Sequence, residues 1–288
     1  MFNIKELKSS FFWRCVVAEL LSSLFYCFAA SAVTLRFYET KYKDGVPSPR
    51  WKDPSELSMV SLTMGITVTA ISFIFNVRYG GYILSTVAFG HFACWRNTLI
   101  EVVAYLLAHM LGGVTGASLA YGLSNENEET LKSFPLLNVS TLKGCILEGV
   151  LTLIVVLVTL ACTDKKRKEK VSSTSVVYGC VVAMAHLIAI PYTGCVLSPA
   201  RILGPAIIEN RWPKHLWIYW VGPFTGGILA GILYGILFSI QPPQTRDKIT
   251  AKSNYIIERQ VNEQKTRIDL VSSNKNRAVD NTIFMTEM

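Results

Sequence analysis

Two short polar interruptions in apolar sequence carry the chemistry of this chain. One is Leu84-Ser85-Thr86-Val87. The other is Leu197-Ser198-Pro199-Ala200-Arg201-Ile202-Leu203-Gly204-Pro205-Ala206. Each follows a long apolar segment and a glycine-containing turn, and each opens an apolar helix too short to cross a bilayer. A helix N-terminus inside a membrane must line a cavity or be buried in protein, because lipid offers its free N–H groups no acceptor. Two half-length helices, one in each half of the chain, therefore build a site at the midplane, as in a pore or a carrier. Each half also holds one intramembrane carboxylate, Glu19 in Ala18-Glu19-Leu20-Leu21 and Glu148 in Leu147-Glu148-Gly149-Val150. A carboxylate at that depth is expensive and faces the protein interior. Its expected role is structural, accepting hydrogen bonds from backbone N–H groups of the half-helix loops.

The elements that must position these residues are apolar spans, since ~20 apolar residues cross a bilayer core. Six emerge, at about 11–35, 58–77, 98–122, 141–162, 174–192 and 216–240, with half-helices near 85–94 and 199–208. The first is too long for a removable signal peptide and lacks a cleavage pattern. Each half reads as an apolar helix with Glu, a loop, a helix, a half-helix and a helix. Two sets of three spans run in opposite directions, so the repeats are inverted. The expected fold is an all-α polytopic membrane protein with six transmembrane helices and two re-entrant half-helices. Gly65, Gly112, Gly113, Gly116, Gly149, Gly226, Gly227 and Gly231 mark close helix contacts.

Of the 288 residues, 51% are hydrophobic and 17% charged, with a net charge of +8. The basic residues gather in Lys165-Lys166-Arg167-Lys168-Glu169-Lys170 and in the tail. That distribution reads as the positive-inside rule rather than a nucleic-acid surface. It places both termini in the cytoplasm and the loops 36–57 and 123–140 outside. The second outer loop carries Asn138-Val139-Ser140, an acceptor sequence for N-glycosylation. Residues 1–10 then form a cytoplasmic N-terminus, 11–240 the membrane domain with repeats at about 11–122 and 141–240, and 241–288 a polar, disordered tail. The terminal Thr286-Glu287-Met288 resembles a ligand for a scaffold domain that captures C-termini. All seven cysteines lie in or beside apolar segments, without metal-ligand spacing. No metal or cofactor is expected, and no nucleophile–base pair suggests an enzyme.

The run Thr193-Gly194-Cys195-Val196-Leu197-Ser198-Pro199-Ala200-Arg201, followed by Gly204-Pro205-Ala206, resembles the second signature loop of the aquaporin (major intrinsic protein) family. Ala18-Glu19, Tyr105, His109, Gly112, Glu148, His186 and Tyr219-Trp220-Val221-Gly222-Pro223 fall at the family's spacing. The resemblance covers about 11–240 and leans toward the animal water-channel and big brain-like branch. It implies an hourglass of six tilted helices, a single-file pore in each protomer, a homotetramer, and a place in the plasma membrane. It assigns the outer constriction to Met64, His186, Cys195 and Arg201. Arg201 would donate to water and repel cations. His186 would narrow the pore and donate to water, and Cys195 would present a thiol that mercury attacks. Met64 replaces the usual aromatic, and its flexible thioether allows a wider aperture.

The departures fall in the signature loops. Where the family has Asn-Pro-Ala, the second loop has Ser198-Pro199-Ala200, and serine is a helix-capping residue. In the first loop, gapless counting puts Leu84-Ser85-Thr86 there. Leu84 cannot donate to water and would form a hydrophobic constriction; a one-residue shift instead makes Ser85 the cap, and the sequence leaves both open. Glu101 stands where relatives often carry Arg, near the start of the third span, where a helix N-terminus favours a negative charge. Ile202 and Tyr219-Trp220 weigh against a dedicated glycerol channel. The expected function is a passive water channel that also passes small neutral solutes. The alternative is a divergent member that conducts ions, or acts in cell adhesion or signalling with little water flux. An ion-coupled carrier would need paired intramembrane carboxylates beyond Glu19 and Glu148.

Overall fold

A computed structural model of the chain describes residues 4–39, 54–75, 81–124, 133–164 and 171–238. Among them lie eight α-helices and no strand: α1 (Ser10–Glu39), α2 (Pro54–Phe75), α3 (Ser85–Ala93), α4 (Leu99–Gly122), α5 (Thr141–Cys162), α6 (Val171–Thr193), α7 (Pro199–Ile208) and α8 (Ile218–Leu233). A 3-10 turn, Ile4–Lys8, precedes α1, and a π turn, Tyr234–Phe238, extends α8. Six of the helices are long and apolar enough to cross a bilayer, with mean hydropathy between 1.5 and 2.6 over their best stretches. Leu62, Ile66, Phe73, Leu107, Leu111, Ile146 and Leu229 are exposed along them. So many exposed apolar side chains on the spans fit hydrocarbon rather than water. The basic loop 165–170 and the tail from 241 lie outside the described residues.

The repeats interlock rather than sit side by side. α1 packs on α4 and α5 on α8, while α2 lies against α6 across the two halves. Each half-helix docks on the opposite repeat, α7 against α4 and α3 against α8. Small residues permit this. A side-chain carbon on Gly113 would collide with the carbonyl oxygen of Ala200, in the first turn of α7. One on Gly227 would meet the carbonyl oxygen of Thr86, in the first turn of α3. Backbone thus presses on backbone at both half-helix entries, where only glycine leaves room.

Local signals explain several boundaries. Thr98 and Glu101 form a reciprocal capping box at the start of α4, and the Thr98 hydroxyl also donates to Glu6 at 2.9 Å. The acid at 101 therefore completes a helix cap. At the far end of α7, Glu209 accepts from Ser133 N at 2.7 Å, Phe134 N at 2.8 Å and the Tyr121 hydroxyl at 2.5 Å. Those bonds tie residues 133–134 over the half-helix. At the end of α3, Arg96 donates to the Leu160 carbonyl at 3.0 Å and pairs with Asp164 at 3.2 Å.

The glycine contacts make a directional prediction. Gly113→Leu drives a branched side chain into the Ala200 backbone and should cost more than about 2 kcal/mol, as overpacking does. Gly122, at the end of α4, has open space around it. Gly122→Ala should stay within about 0.5 kcal/mol of the parent. Thermal unfolding of the two variants in detergent, beside the parent, checks the contrast.

Candidate functional site

Both half-helices begin in the same strained way. Leu84 N donates to the Tyr82 carbonyl at 2.7 Å, and Ser198 N to the Val196 carbonyl at 2.6 Å. These are two-residue closures, γ-turns, centred on Ile83 at φ 66° and Leu197 at φ 56°. A positive φ is costly for any residue with a Cβ and most of all for branched isoleucine. Gly81 at φ 114°, and Gly194 and Cys195 at φ 83° and 55°, continue the left-handed geometry upstream.

The two buried carboxylates face these turns. Glu19 accepts from Gly81 N at 2.6 Å and from Tyr82 N at 3.0 and 3.1 Å. Glu148 accepts from Val196 N at 3.0 Å, Leu197 N at 2.9 Å and the Thr193 hydroxyl at 2.6 Å. Neither is solvent-exposed. Tyrosines complete each clamp: Tyr178 Oη donates to the Tyr82 carbonyl at 2.7 Å, and Tyr219 Oη to the Thr193 carbonyl at 2.8 Å. His109 Nε2 also lies 3.0 Å from Glu19, but out of hydrogen-bond alignment. Sequence reasoning placed Thr193 in the signature run without its bond to Glu148, and passed over Tyr178. The only sequence signal of Tyr178 is a polar group on an apolar helix.

The half-helices meet head to head. Ser85 Oγ and Ser198 Oγ are 2.9 Å apart, and Thr86 Oγ1 donates to the Leu197 carbonyl at 3.1 Å. Leu84 and Ser198 occupy the two N-cap positions. The expectation that Ser198 caps its own helix fails, because its hydroxyl makes no bond within α7. Its oxygen is instead the acceptor that Ser85 N reaches across the junction, at 3.4 Å. Leu84 has no capping atom and is fully buried in the apolar cluster that includes Ile83, Val87 and Leu197. Pro199 and Ala200 form the first turn of α7, where proline's fixed φ suits the helix and its missing N–H costs nothing.

The four constriction candidates lie on different elements: Met64 on α2, His186 on α6, Cys195 in the loop and Arg201 on α7. Arg201 Nη1 donates to the Gly194 carbonyl at 2.8 Å and also to that of Cys195. The guanidinium is thereby held by the loop it follows. It lines a recess with Thr34, Ser133, Pro135 and Gly194. Arg201 retains 7% exposure, whereas Met64, His186 and Cys195 have none. His186 Nδ1 lies 2.8 Å from the Val182 carbonyl. A carbonyl only accepts, so Nδ1 carries a proton, and in the neutral ring Nε2 is an acceptor. Nε2 itself has no partner within the protein.

Asn138 sits at the recess end of the molecule. Its Nδ2 donates to the Pro191 carbonyl at 2.9 Å, and its side chain is exposed. All seven cysteines are free thiols, and no metal-ligand cluster occurs among the described residues.

Six spans, two half-helices joined at their N-termini, and one arginine at the mouth define an inverted-repeat membrane channel. The family model for the major intrinsic proteins matches residues 6–234. Aquaporin-1 of Homo sapiens is 32% identical over 227 residues, covering 78% of this chain and 82% of that protein. Aquaporin-4 of Bos taurus is 31% identical over 232 residues, covering 80% and 69%. The X-ray structure of the aquaglyceroporin from Plasmodium falciparum shares the fold, with a TM-score of 0.68 at 19% identity over 79% of this chain and 97% of that one. The chain belongs to the major intrinsic protein family. It is an integral membrane channel for water or small solutes, not an enzyme.

The carboxylate clamp is open to test. Glu148→Gln replaces an acceptor-only group by one that points N–H groups at N–H groups. Loss of charged hydrogen bonds to a buried turn should cost about 2–3 kcal/mol. Thermal unfolding in detergent should show it as a lowered midpoint, with Val150→Ala, exposed on the same helix, unchanged.

Proposed function

We propose that this chain is a passive water channel that also admits small neutral solutes. The observation that carries this reading is Arg201, pinned by two loop carbonyls beside a recess, with His186 and Cys195 buried. A fixed guanidinium in a narrow passage donates to water and opposes cations. The half-helix N-termini, each carrying roughly half a positive charge, add to the cation barrier at the centre. Met64 in place of an aromatic supports a more adaptable aperture for small neutral solutes. The resemblance further supports a homotetramer in the plasma membrane, and the basic residues at 165–170 support cytoplasmic termini. Asn138 is the proposed glycan acceptor, on condition that its amide releases Pro191. Capture of the terminal Thr286-Glu287-Met288 by a scaffold domain concerns residues outside those described.

Leu84 favours a second reading, a member with little water flux. It brings no donor to the junction, and a hydrophobic constriction dewets readily. That version of the chain would act through ions, adhesion or signalling.

Osmotic shrinkage of proteoliposomes holding the purified full chain separates the two. Fast shrinkage, blocked by mercuric ion in the parent but not in Cys195→Ser, is the expected result. Shrinkage no faster than that of empty vesicles, with folded protein present, overturns the water-channel reading. Leu84→Asn restores a donor and should raise flux several-fold, by about the worth of one hydrogen bond to the permeant. Unchanged flux at equal protein content removes Leu84 as the central barrier.

A further inference from the structure

Ser133, Pro135 and Leu136 line the recess that also holds Arg201 and Gly194. They lie on a stretch with no helix or strand of its own. Backbone outside regular structure finds its hydrogen-bond partners elsewhere, and those partners decide where it sits. Ser133 N and Phe134 N both donate to Glu209 Oε1, at 2.7 and 2.8 Å. The Tyr121 hydroxyl, on α4, donates to the same oxygen at 2.5 Å and accepts a longer bond from Ser133 N at 3.0 Å. Pro135 has no N–H to give. The Ser133 hydroxyl is also 2.7 Å from Thr34 Oγ1 on α1. One carboxylate oxygen thus collects every backbone donor of 133–135, together with a phenol that holds it in place.

Glu209 can do this because α7 ends in a fixed way. Arg211 N donates to the Ala206 carbonyl at 2.9 Å and Asn210 N to that of Ile207 at 3.2 Å, with Asn210 at φ 47°. That is a Schellman closure, which fixes the residues just past the last helical turn. The Arg211 guanidinium then lies over the Phe134 ring, 5.0 Å from its centroid. Phe134 itself is fully buried with Val196, Ile202 and Ile218. The next residue, Pro135, bears on Gly194. A side-chain carbon at Gly194 would lie 2.4 Å from Pro135 Cβ, and φ there is 83°. Gly194 in turn is the residue whose carbonyl accepts from Arg201 Nη1 at 2.8 Å. A continuous run of contacts therefore joins the C-cap of α7 to the arginine in its first turn, through Ser133, Phe134, Pro135 and Gly194.

We propose that Glu209 is a positioning residue for the outer mouth, and that its reach sets the largest neutral solute the channel admits. The inference rests on the channel reading. By holding Ser133 and Phe134, Glu209 seats Pro135 against Gly194 and keeps the recess beside Arg201 narrow. It acts through that segment and not on the permeating molecule. With the acceptor withdrawn, the N–H groups of Ser133 and Phe134 turn to water and the segment lifts from Gly194. Water passes much as before, while larger neutral molecules enter more readily. All three donors end on one oxygen. The bonds therefore need an acceptor at that distance rather than a net charge.

Two substitutions separate reach from charge. Glu209→Asp keeps the charge and draws the acceptor back; Glu209→Gln removes the charge and keeps an oxygen where Oε1 stands. Fluxes of water, urea and glycerol are measured in proteoliposomes of the full chain, at equal content of folded protein. In Glu209→Asp the urea-to-water and glycerol-to-water ratios should rise roughly three- to tenfold, the worth of one net hydrogen bond. In Glu209→Gln both ratios should match the parent. A merely structural role would lower the unfolding midpoint and move neither ratio. Unchanged ratios in Glu209→Asp, or an equal rise in Glu209→Gln, overturn the inference and leave the channel reading standing. No flux of any of the three through the parent overturns the channel reading instead. A second arm then decides the role of Glu209 without flux. Cys195, buried next to Gly194, is labelled in detergent with a neutral maleimide, and its peptide is followed by mass spectrometry. Faster labelling in Glu209→Asp than in the parent and Glu209→Gln supports the inference. Equal rates in Glu209→Asp and either of the other two overturn it.

Discussion

Every feature of the central site depends on two buried carboxylates holding two γ-turns. Ile83 and Leu197 adopt left-handed backbone in a region where lipid and protein offer no water to relieve it. A branched residue at positive φ costs on the order of 1–3 kcal/mol and persists only when its surroundings over-determine it. Glu19 and Glu148 do that, each accepting two consecutive backbone N–H groups. The arrangement also answers why a carboxylate is tolerated at such depth. Its lone pairs are met by N–H donors whose own alternatives in an apolar interior would be nothing at all. Each half of the interaction removes the penalty of the other. The tight turns then aim each half-helix N-terminus at its counterpart.

Close backbone packing fixes where the aimed helices end. Gly113 and Gly227 bring α4 and α8 against the first turns of α7 and α3. Each half-helix is thus entered through its own repeat and braced by the other. Neither repeat could hold its half-helix alone, because the bracing surface would be missing. The serine contact at 2.9 Å is the result. Two like-signed helix ends so close repel one another. That repulsion is borne by the clamps and glycine contacts, and it leaves a positive potential at the centre. A fold of this kind suits a neutral permeant for electrostatic reasons before any selectivity residue is considered.

Much of this was legible in the sequence, for identifiable reasons. Half-helices are visible because a proline, a serine and an arginine interrupt apolar sequence at fixed spacing, as at Ser198-Pro199-Ala200-Arg201. Glu19 and Glu148 are visible because a carboxylate in a span has few roles. Span ends were displaced by a few residues: α2 starts at Pro54 rather than 58, and α8 proper at Ile218 rather than 216. Hydropathy reports immersion: α2 extends past its apolar stretch, whereas apolar Leu216 and Trp217 still belong to the turn before α8. Partnerships across the fold were not legible. Ser198 looked like a cap for its own helix, because serine at such a position usually is one. Only the approach of α3 shows that its oxygen serves Ser85.

The junction itself defines what the centre can offer a passing molecule. Two serine hydroxyls bring two protons, and one lies between the oxygens at 2.9 Å. One proton is left to donate. Ser85 N is partly engaged by Ser198, proline has no N–H, and leucine has no side-chain donor. The centre is therefore donor-poor and positively biased, while the level of Arg201 is donor-rich. On the proposed reading, a neutral molecule meets a hydrogen-bonding mouth and then an apolar middle. A cation fares worse at both levels, since the guanidinium and the helix ends oppose it without a carboxylate free to compensate. Glu19 and Glu148 are committed to the turns, and the same bonds that build the site keep their charge out of the passage.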